Sequence, residues 1–150
     1  MKRDTRIVGA VLAFIGGAIA IAAITGTWAP DGVRLLFRVF CHGMAERSLS
    51  VFGEAMPICA RCFGIYAGLI TGVAIFAMWP RIEEQAARMF VFAAALPIAI
   101  DGLTQAASLR VSTNPLRLAT GIVAATAFAI WALSAVEHRR TEPRQDFLTP

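Results

Sequence analysis

The chain has 150 residues, enough for one domain, and 57% of them are hydrophobic, against roughly 45–50% in a soluble domain. A small globular fold has too little interior to hide that excess, so a water-soluble domain is excluded and a bilayer is the expected solvent. The net charge of +4, from 14 basic and 10 acidic residues, sits mostly beside apolar runs, which excludes a nucleic-acid-binding stripe and points to topology signals at a membrane surface.

Four apolar segments follow in chain order, at residues 7–25, 62–79, 89–109 and 118–136. Each has the roughly 20 residues that a helix needs to cross about 30 Å of hydrocarbon. The basic start at Lys2, Arg3 and Arg6 imitates a signal peptide, but the run behind it exceeds a signal core of about 7–15 residues. The first segment is therefore expected to remain as a span. Between the first two spans, residues 31–40 read as a short amphipathic interfacial helix. Val33, Leu36, Phe37 and Phe40 share its apolar face, Arg34 and Arg38 reach the headgroups, and Asp31 caps its start. A polar stretch, 41–61, follows. Gly64, Gly68 and Gly72 form a row at one-turn spacing along the second span, which predicts close helix packing. Pro80 closes the second span, and Asn114-Pro115 turns the chain into the fourth. The charged tail 137–150 is expected to be exposed and poorly ordered. The predicted fold is all-α: a single membrane domain, 1–150, with four transmembrane helices and an interfacial segment after the first.

Four spans place both termini on one side, with eight basic residues there (Lys2, Arg3, Arg6, Arg81, Arg88, Arg139, Arg140 and Arg144) against six on the other (Arg34, Arg38, Arg47, Arg61, Arg110 and Arg117). The positive-inside rule then predicts an inner-membrane protein with cytoplasmic termini. Its cysteines face outward.

Those cysteines carry the chemistry. Cys41, Cys59 and Cys62 lie close in sequence, Cys41 adjoins His42, and Cys59-Ala60-Arg61-Cys62 opens the second span. Helix N-termini stabilise thiolates, the form that binds metal or attacks disulfides. Cys59 and Cys62, with Cys41 or His42, supply the soft ligands zinc prefers. Adjacent Cys41 and His42 reach one ion together only with difficulty, so the sequence leaves open both a closed site and three protein ligands with an open position. A second reading is redox, since C-x-x-C at a membrane surface resembles quinone-coupled thiol oxidoreductases of the vitamin K epoxide reductase type. The odd cysteine count speaks against that reading, and a structural disulfide is the third. A zinc deaminase is excluded because the H-x-E of that chemistry is absent around His42.

Asp101 sits in the outer half of the third span, with Gln105 one turn later on the same face. A carboxylate in a membrane helix requires a partner or a cavity, so the expectation is either an interhelical pair with an arginine or a general base. Tyr66 lies one turn after Cys62. Asn114, Arg117 and Thr120 open the fourth span, and Arg47 and Arg61 lie in the same layer. These groups are expected to converge on one pocket. Its metal ligands would be Cys41, His42, Cys59 and Cys62, its catalytic groups Asp101, Gln105 and Tyr66, and its anion-binding groups Arg47, Arg61, Asn114 and Arg117.

Three blocks together resemble an uncharacterised family of small prokaryotic membrane proteins, a domain of unknown function. They are Phe40-Cys41-His42 through Glu46-Arg47-Ser48 and Pro57-Ile58-Cys59-Ala60-Arg61-Cys62-Phe63-Gly64-Ile65-Tyr66-Ala67-Gly68, then Asp101-Gly102-Leu103-Thr104-Gln105, then Asn114 to Gly121. The resemblance implies a membrane fold and a residue set, but no activity. Gly43 departs from its pattern, which leads one to expect a longer polar residue such as glutamine.

The leading expectation is a zinc-dependent membrane enzyme acting on an amphiphilic or anionic substrate, with Asp101 as base. The alternatives are a non-catalytic subunit of a larger membrane complex, or a self-associating protein, in which a metal or disulfide pins the outer loop, and a membrane thiol oxidoreductase. The expected partners are membrane lipid and other membrane subunits, not nucleic acid.

Overall fold

Hydrocarbon offers no partner for a bare peptide group, so each apolar run closes its own backbone bonds as a helix. A computed structural model of the protein describes residues 2–39, 41–80 and 82–138. In chain order its elements are α1 (Arg3–Thr25), α2 (Asp31–Leu36), β1 (Ser48–Val51), β2 (Glu54–Cys59), α3 (Ala60–Met78), α4 (Glu84–Ala106) and α5 (Asn114–His138). Helices α1, α3, α4 and α5 are long and apolar enough to cross a membrane.

All four helices begin before the expected spans at their polar ends, α3 at Ala60 rather than 62. α1 starts at Arg3 rather than 7, α4 at Glu84 rather than 89, and α5 covers Asn114–His138 rather than 118–136. Hydropathy reports the hydrocarbon layer, whereas the helix continues into the headgroup layer where polar side chains are solvated. α4 stops at Ala106 rather than 109 because Ser108 adopts a left-handed φ of 56°. There the Ser108 N–H bonds the Gln105 carbonyl at 3.0 Å and the Leu109 N–H bonds the Thr104 carbonyl at 2.9 Å, a Schellman closure. Glu137 and His138, predicted as the start of an exposed tail, instead complete α5. Residues 139–150, like Phe40 and Arg81, lie outside the described residues.

The glycine row does what its spacing predicts. A Cβ at Gly64 would lie 2.5 Å from the Leu118 carbonyl oxygen, one at Gly68 2.5 Å from that of Ile122, and one at Gly72 2.7 Å from that of Thr126. Only the absence of side chains lets α3 and α5 come together at backbone distance. Gly121 on α5 returns the contact, 2.5 Å by the same measure from the Arg61 carbonyl oxygen. At one end of the bundle Glu137 ties the two chain ends together. Its carboxylate accepts the Lys2 N–H at 3.0 Å and the Thr5 hydroxyl, and the Lys2 ammonium donates to its carbonyl at 2.8 Å.

The connection after α1 departs from the all-α expectation. α2 covers six residues and passes into a 3₁₀ turn, Phe37–Val39, so the predicted helix over 31–40 is shorter. Asp31 lies in its first turn while Pro30 holds the capping position without a side-chain bond, so Asp31 is not the cap. Val33 and Leu36 are exposed, whereas Phe37 turns inward onto a cluster of Ala23, Cys41, Met56 and Ile58. Arg34 donates to the Ala55 carbonyl at 2.8 Å rather than serving only the headgroup layer. The polar stretch then folds into an antiparallel hairpin in which Ser48 pairs with Cys59, Ser50 with Ala55 and Val51 with Glu54. An irregularity sits between Ser48 and Ser50. Gly53 at φ 89° and Phe52 at φ 50° make the turn.

Candidate metal centre

The hairpin decides where the thiols go. β2 ends at Cys59, and α3 begins at the next residue, so Cys59 stands at the helix cap and Cys62 in the first turn. The strand approaches the segment that carries Cys41, and the Cys59 N–H donates to the Cys41 sulfur at 3.2 Å. Gly43 makes the return possible. Its φ is 58°, and a Cβ there would lie 2.9 Å from the Pro57 carbonyl oxygen. A glutamine, the longer polar residue expected at this position, would be strained and crowded on this backbone.

The three sulfurs lie within 4.8 Å of one another. Three thiolates on a tetrahedral zinc with bonds of about 2.3 Å stand roughly 3.8 Å apart. A small contraction therefore brings this set onto an ion. All three cysteines are free, Cys41 buried and the other two half-buried. The Cys59 thiol is lowered to about 5, first by hydrogen bonding from the Cys62 thiol and then by the Cys62 backbone, the Cys41 thiol and the Arg61 backbone, against the opposing effect of burial. This shift favours the thiolate, the form that binds metal. Beside the sulfurs is an open cavity of about 360 Å³ whose wall includes His42, Arg47 and Arg61. Among the described residues no fourth histidine, cysteine or carboxylate joins the sulfur cluster, so His42 lines the cavity without belonging to the ligand set.

A continuous polar chain runs behind this cavity. Asn114 donates from Nδ2 to the Ser48 carbonyl at 2.9 Å, which fixes the hairpin to the start of α5. Its Oδ1 accepts from Arg117 Nη1 at 3.2 Å, and Arg117 Nη2 donates to Gln105 Oε1 at 2.8 Å. Gln105 Nε2 donates to Asp101 Oδ2 at 2.9 Å. Asp101 is buried; Oδ2 also accepts from Arg61, and Oδ1 accepts from Arg110 Nη2 at 2.6 Å. Four separated parts of the chain are joined in this way. A second cavity of about 270 Å³ opens on the same layer, lined by Arg47, Gln105, Ser108, Arg110, Val111 and Arg117.

The predicted residues thus meet in one layer, but in two groups. Cys41, Cys59, Cys62, His42, Arg47 and Arg61 surround the sulfur cavity, while Gln105, Arg117 and again Arg47 line the other. Asp101 lines neither. Both its oxygens are engaged by guanidinium groups, the interhelical pair foreseen as the alternative to a base, and its position makes it the counter-ion that orients Arg61. Tyr66 packs against the cluster of Cys41, Met56 and Ile58 behind the thiols and is not part of the cavity wall. Asn114 holds the hairpin and Arg117. Thr120 bonds back to the Leu116 carbonyl of its own helix at 2.9 Å. Sequence reasoning missed Arg110 as a site residue. It follows the close of α4 and entered only the count of basic residues on the outer side; beyond the left-handed Ser108, it donates to Asp101.

Asp101→Asn tests the layer. It leaves Arg61 and Arg110, whose side chains are 26% and 47% exposed, without an acid. A broken fully buried pair costs about 3–5 kcal/mol, and partial hydration of these guanidiniums reduces that to about 2–3 kcal/mol. Denaturant titration in detergent should show this loss, and unchanged stability would mean that the pair does not hold α3 to α4.

Comparison with known proteins supports the membrane fold. The family described as Predicted membrane protein (DUF2085) matches residues 41–131, which hold all three cysteines, Asp101 and Arg117. An uncharacterized protein of Methanocaldococcus jannaschii is 38% identical over 91 residues, covering 59% of this chain and 58% of its own length. An uncharacterized protein of Methanothermobacter thermautotrophicus is 36% identical over 98 residues, covering 65% of this chain and 88% of its own. The chain therefore spans little more than half the length of the first of these relatives. No solved structure matches.

Proposed function

This chain belongs to the DUF2085 family of predicted membrane proteins, and on that premise we propose that it is a metal-dependent membrane enzyme acting on an amphiphilic or anionic substrate. It is an integral membrane protein with a cluster of three cysteines placed to hold a metal ion. The observation that carries the proposal is the pairing of that cluster with an adjoining open cavity. A structural zinc site is closed by four protein ligands, whereas a catalytic one keeps a position for water or substrate. Soft thiolates favour zinc. A zinc ion held by Cys41, Cys59 and Cys62 would supply Lewis acidity toward a substrate oxygen or water facing the cavity. His42 is the imidazole on that wall and is positioned to take the proton. Asp101 is a positioning residue that fixes Arg61, and Arg61, Arg47 and Arg117 present positive charge to the substrate.

We further propose that the sulfur layer lies at the outer face of the inner membrane, with both termini cytoplasmic. Three of the six basic residues on the outer side, Arg61, Arg110 and Arg117, are bonded within the polar chain. That leaves the excess of positive charge on the terminal side clearer than the sequence count alone.

A non-catalytic reading is favoured by the engagement of both Asp101 oxygens: a closed metal site would then serve only to pin the hairpin. Cobalt substitution separates the two. The visible bands of the cobalt protein shift on titration with azide if a coordination position is open, the expected result. Bands that do not respond overturn the enzymatic reading and leave the structural one.

A further inference from the structure

We propose that the cavity lined by Arg47, Gln105, Ser108, Arg110, Val111 and Arg117 is a phosphate site that receives a phosphomonoester group at the membrane surface. This deepens the function proposed above, on which it rests for the existence of a substrate, although the binding itself requires no metal.

The argument is one of charge. Arg117 is only 4% exposed, and its guanidinium donates to two neutral oxygens, Gln105 Oε1 at 2.8 Å and Asn114 Oδ1 at 3.2 Å. A buried cation is ordinarily held beside a counter-charge. Asp101 is the acid bonded within this layer among the described residues, and its two oxygens are occupied by Arg61 and Arg110. Arg47 lies exposed on the wall shared with the sulfur cavity. Arg61 adds a buried Nε–H with no partner among the described residues. Two guanidiniums, Arg61 and Arg110, thus share one carboxylate, while Arg47, Arg110 and Arg117 line a cavity of about 270 Å³. The layer has an excess of donors and positive charge, and among the described residues Asp101 is the acid that is ion-paired within it.

The same excess selects the ligand. A carboxylate offers one charge and two oxygens, which a single forked guanidinium satisfies. A phosphomonoester carries about −1.5 to −2 charges at neutral pH and three terminal oxygens, a match for three guanidiniums converging from the hairpin side, the α4–α5 connection and the start of α5. Two sources share this chemistry: the headgroup of a phosphomonoester lipid, and free phosphate. Because Arg47 belongs to both cavity walls, a phosphate held here places the rest of the ligand beside the sulfur cluster.

Calorimetric titration of the full chain in detergent with dioctanoyl phosphatidic acid, inorganic phosphate, dioctanoylglycerol and octanoate tests the proposal. Phosphatidic acid is expected to bind and dioctanoylglycerol to fail. Binding by phosphatidic acid alone identifies a lipid headgroup, and equal binding by inorganic phosphate identifies the free anion. Arg47→Gln is expected to weaken the interaction about tenfold or more, the loss of one charge-assisted contact. Arg47 is exposed, so this variant folds even if Arg117→Gln does not. Cys59→Ser should lose metal yet keep phosphate binding, which separates failure of the metal reading from failure of this one. Octanoate binding as tightly as phosphatidic acid, or an Arg47→Gln protein that binds like the wild type, would overturn the phosphate site.

Discussion

Cys59→Ser is expected to reduce the zinc content of the purified protein from about one ion per chain to a small residue, by roughly tenfold or more, because it removes one of three ligands and replaces a thiolate by a hydroxyl that stays protonated at neutral pH. Cys59 carries this result best. It stands at the cap of α3, its thiol is lowered to about 5, and its N–H donates to Cys41. Cys41→Ser and Cys62→Ser should behave alike, since the three sulfurs share one 4.8 Å cluster. His42→Gln should keep its metal, because His42 lines the cavity outside that cluster. Protons compete with metal for thiolates. On acidification metal should be released, and it should be regained on neutralisation, with the lowered Cys59 thiol holding its ligand form further into the acid range than an ordinary cysteine. Elemental analysis of the four variants and of an acid series checks this. Full zinc in Cys59→Ser would remove the metal centre; loss of zinc in His42→Gln would make the imidazole a fourth ligand and the site closed.

The second large effect lies away from the thiols. Gly68→Ala should cost about 3 kcal/mol or more, the upper end of overpacking penalties, and Gly68→Leu should prevent assembly of the bundle. The added Cβ would meet the Ile122 carbonyl oxygen at 2.5 Å, the Ala125 Cβ at 2.9 Å and the Ile122 Cα at 3.0 Å. Those are mostly backbone atoms and cannot rotate aside. The helices would have to separate, and with them would go the Gly64 and Gly121 contacts that seat the start of α3 beside α5. Gly17→Ala is the control: nothing lies within 4 Å of a Cβ there, so it should leave stability within about 0.5 kcal/mol, and a Gly→Ala change in a helix can even gain. Size-exclusion behaviour and denaturant titration in detergent report both. A Gly68→Ala protein as stable as Gly17→Ala would mean that close approach of α3 and α5 is not required.

The hairpin was not legible in the sequence, and the reason is physical. β1 has only four residues, and β2 buries Met56, Pro57 and Ile58 in succession, so neither strand shows a clean alternation. The turn places a phenylalanine at φ 50°, which no turn preference suggests. Gly53 was the single available signal. Arg110 was hidden for a related reason, since the left-handed Ser108 before it leaves no mark in composition. Asp101 was legible as a residue that needed a partner, but which partner was not, because three arginines from different segments were equally available to it.

The four spans, the glycine seam and the identity of the reactive groups were determined by the sequence alone. Hydrocarbon thickness sets the length of an apolar run, helical periodicity puts every fourth residue on one face, and a thiol or an intramembrane carboxylate announces itself wherever it stands. What only the tertiary structure decided was grouping: that three sulfurs gather while His42 stays on the wall, and that Asp101 is spent on Arg61 and Arg110 rather than facing the thiols. Those outcomes depend on contacts between residues 18 to 66 positions apart, made by a hairpin register and a helix closure that local pattern does not encode.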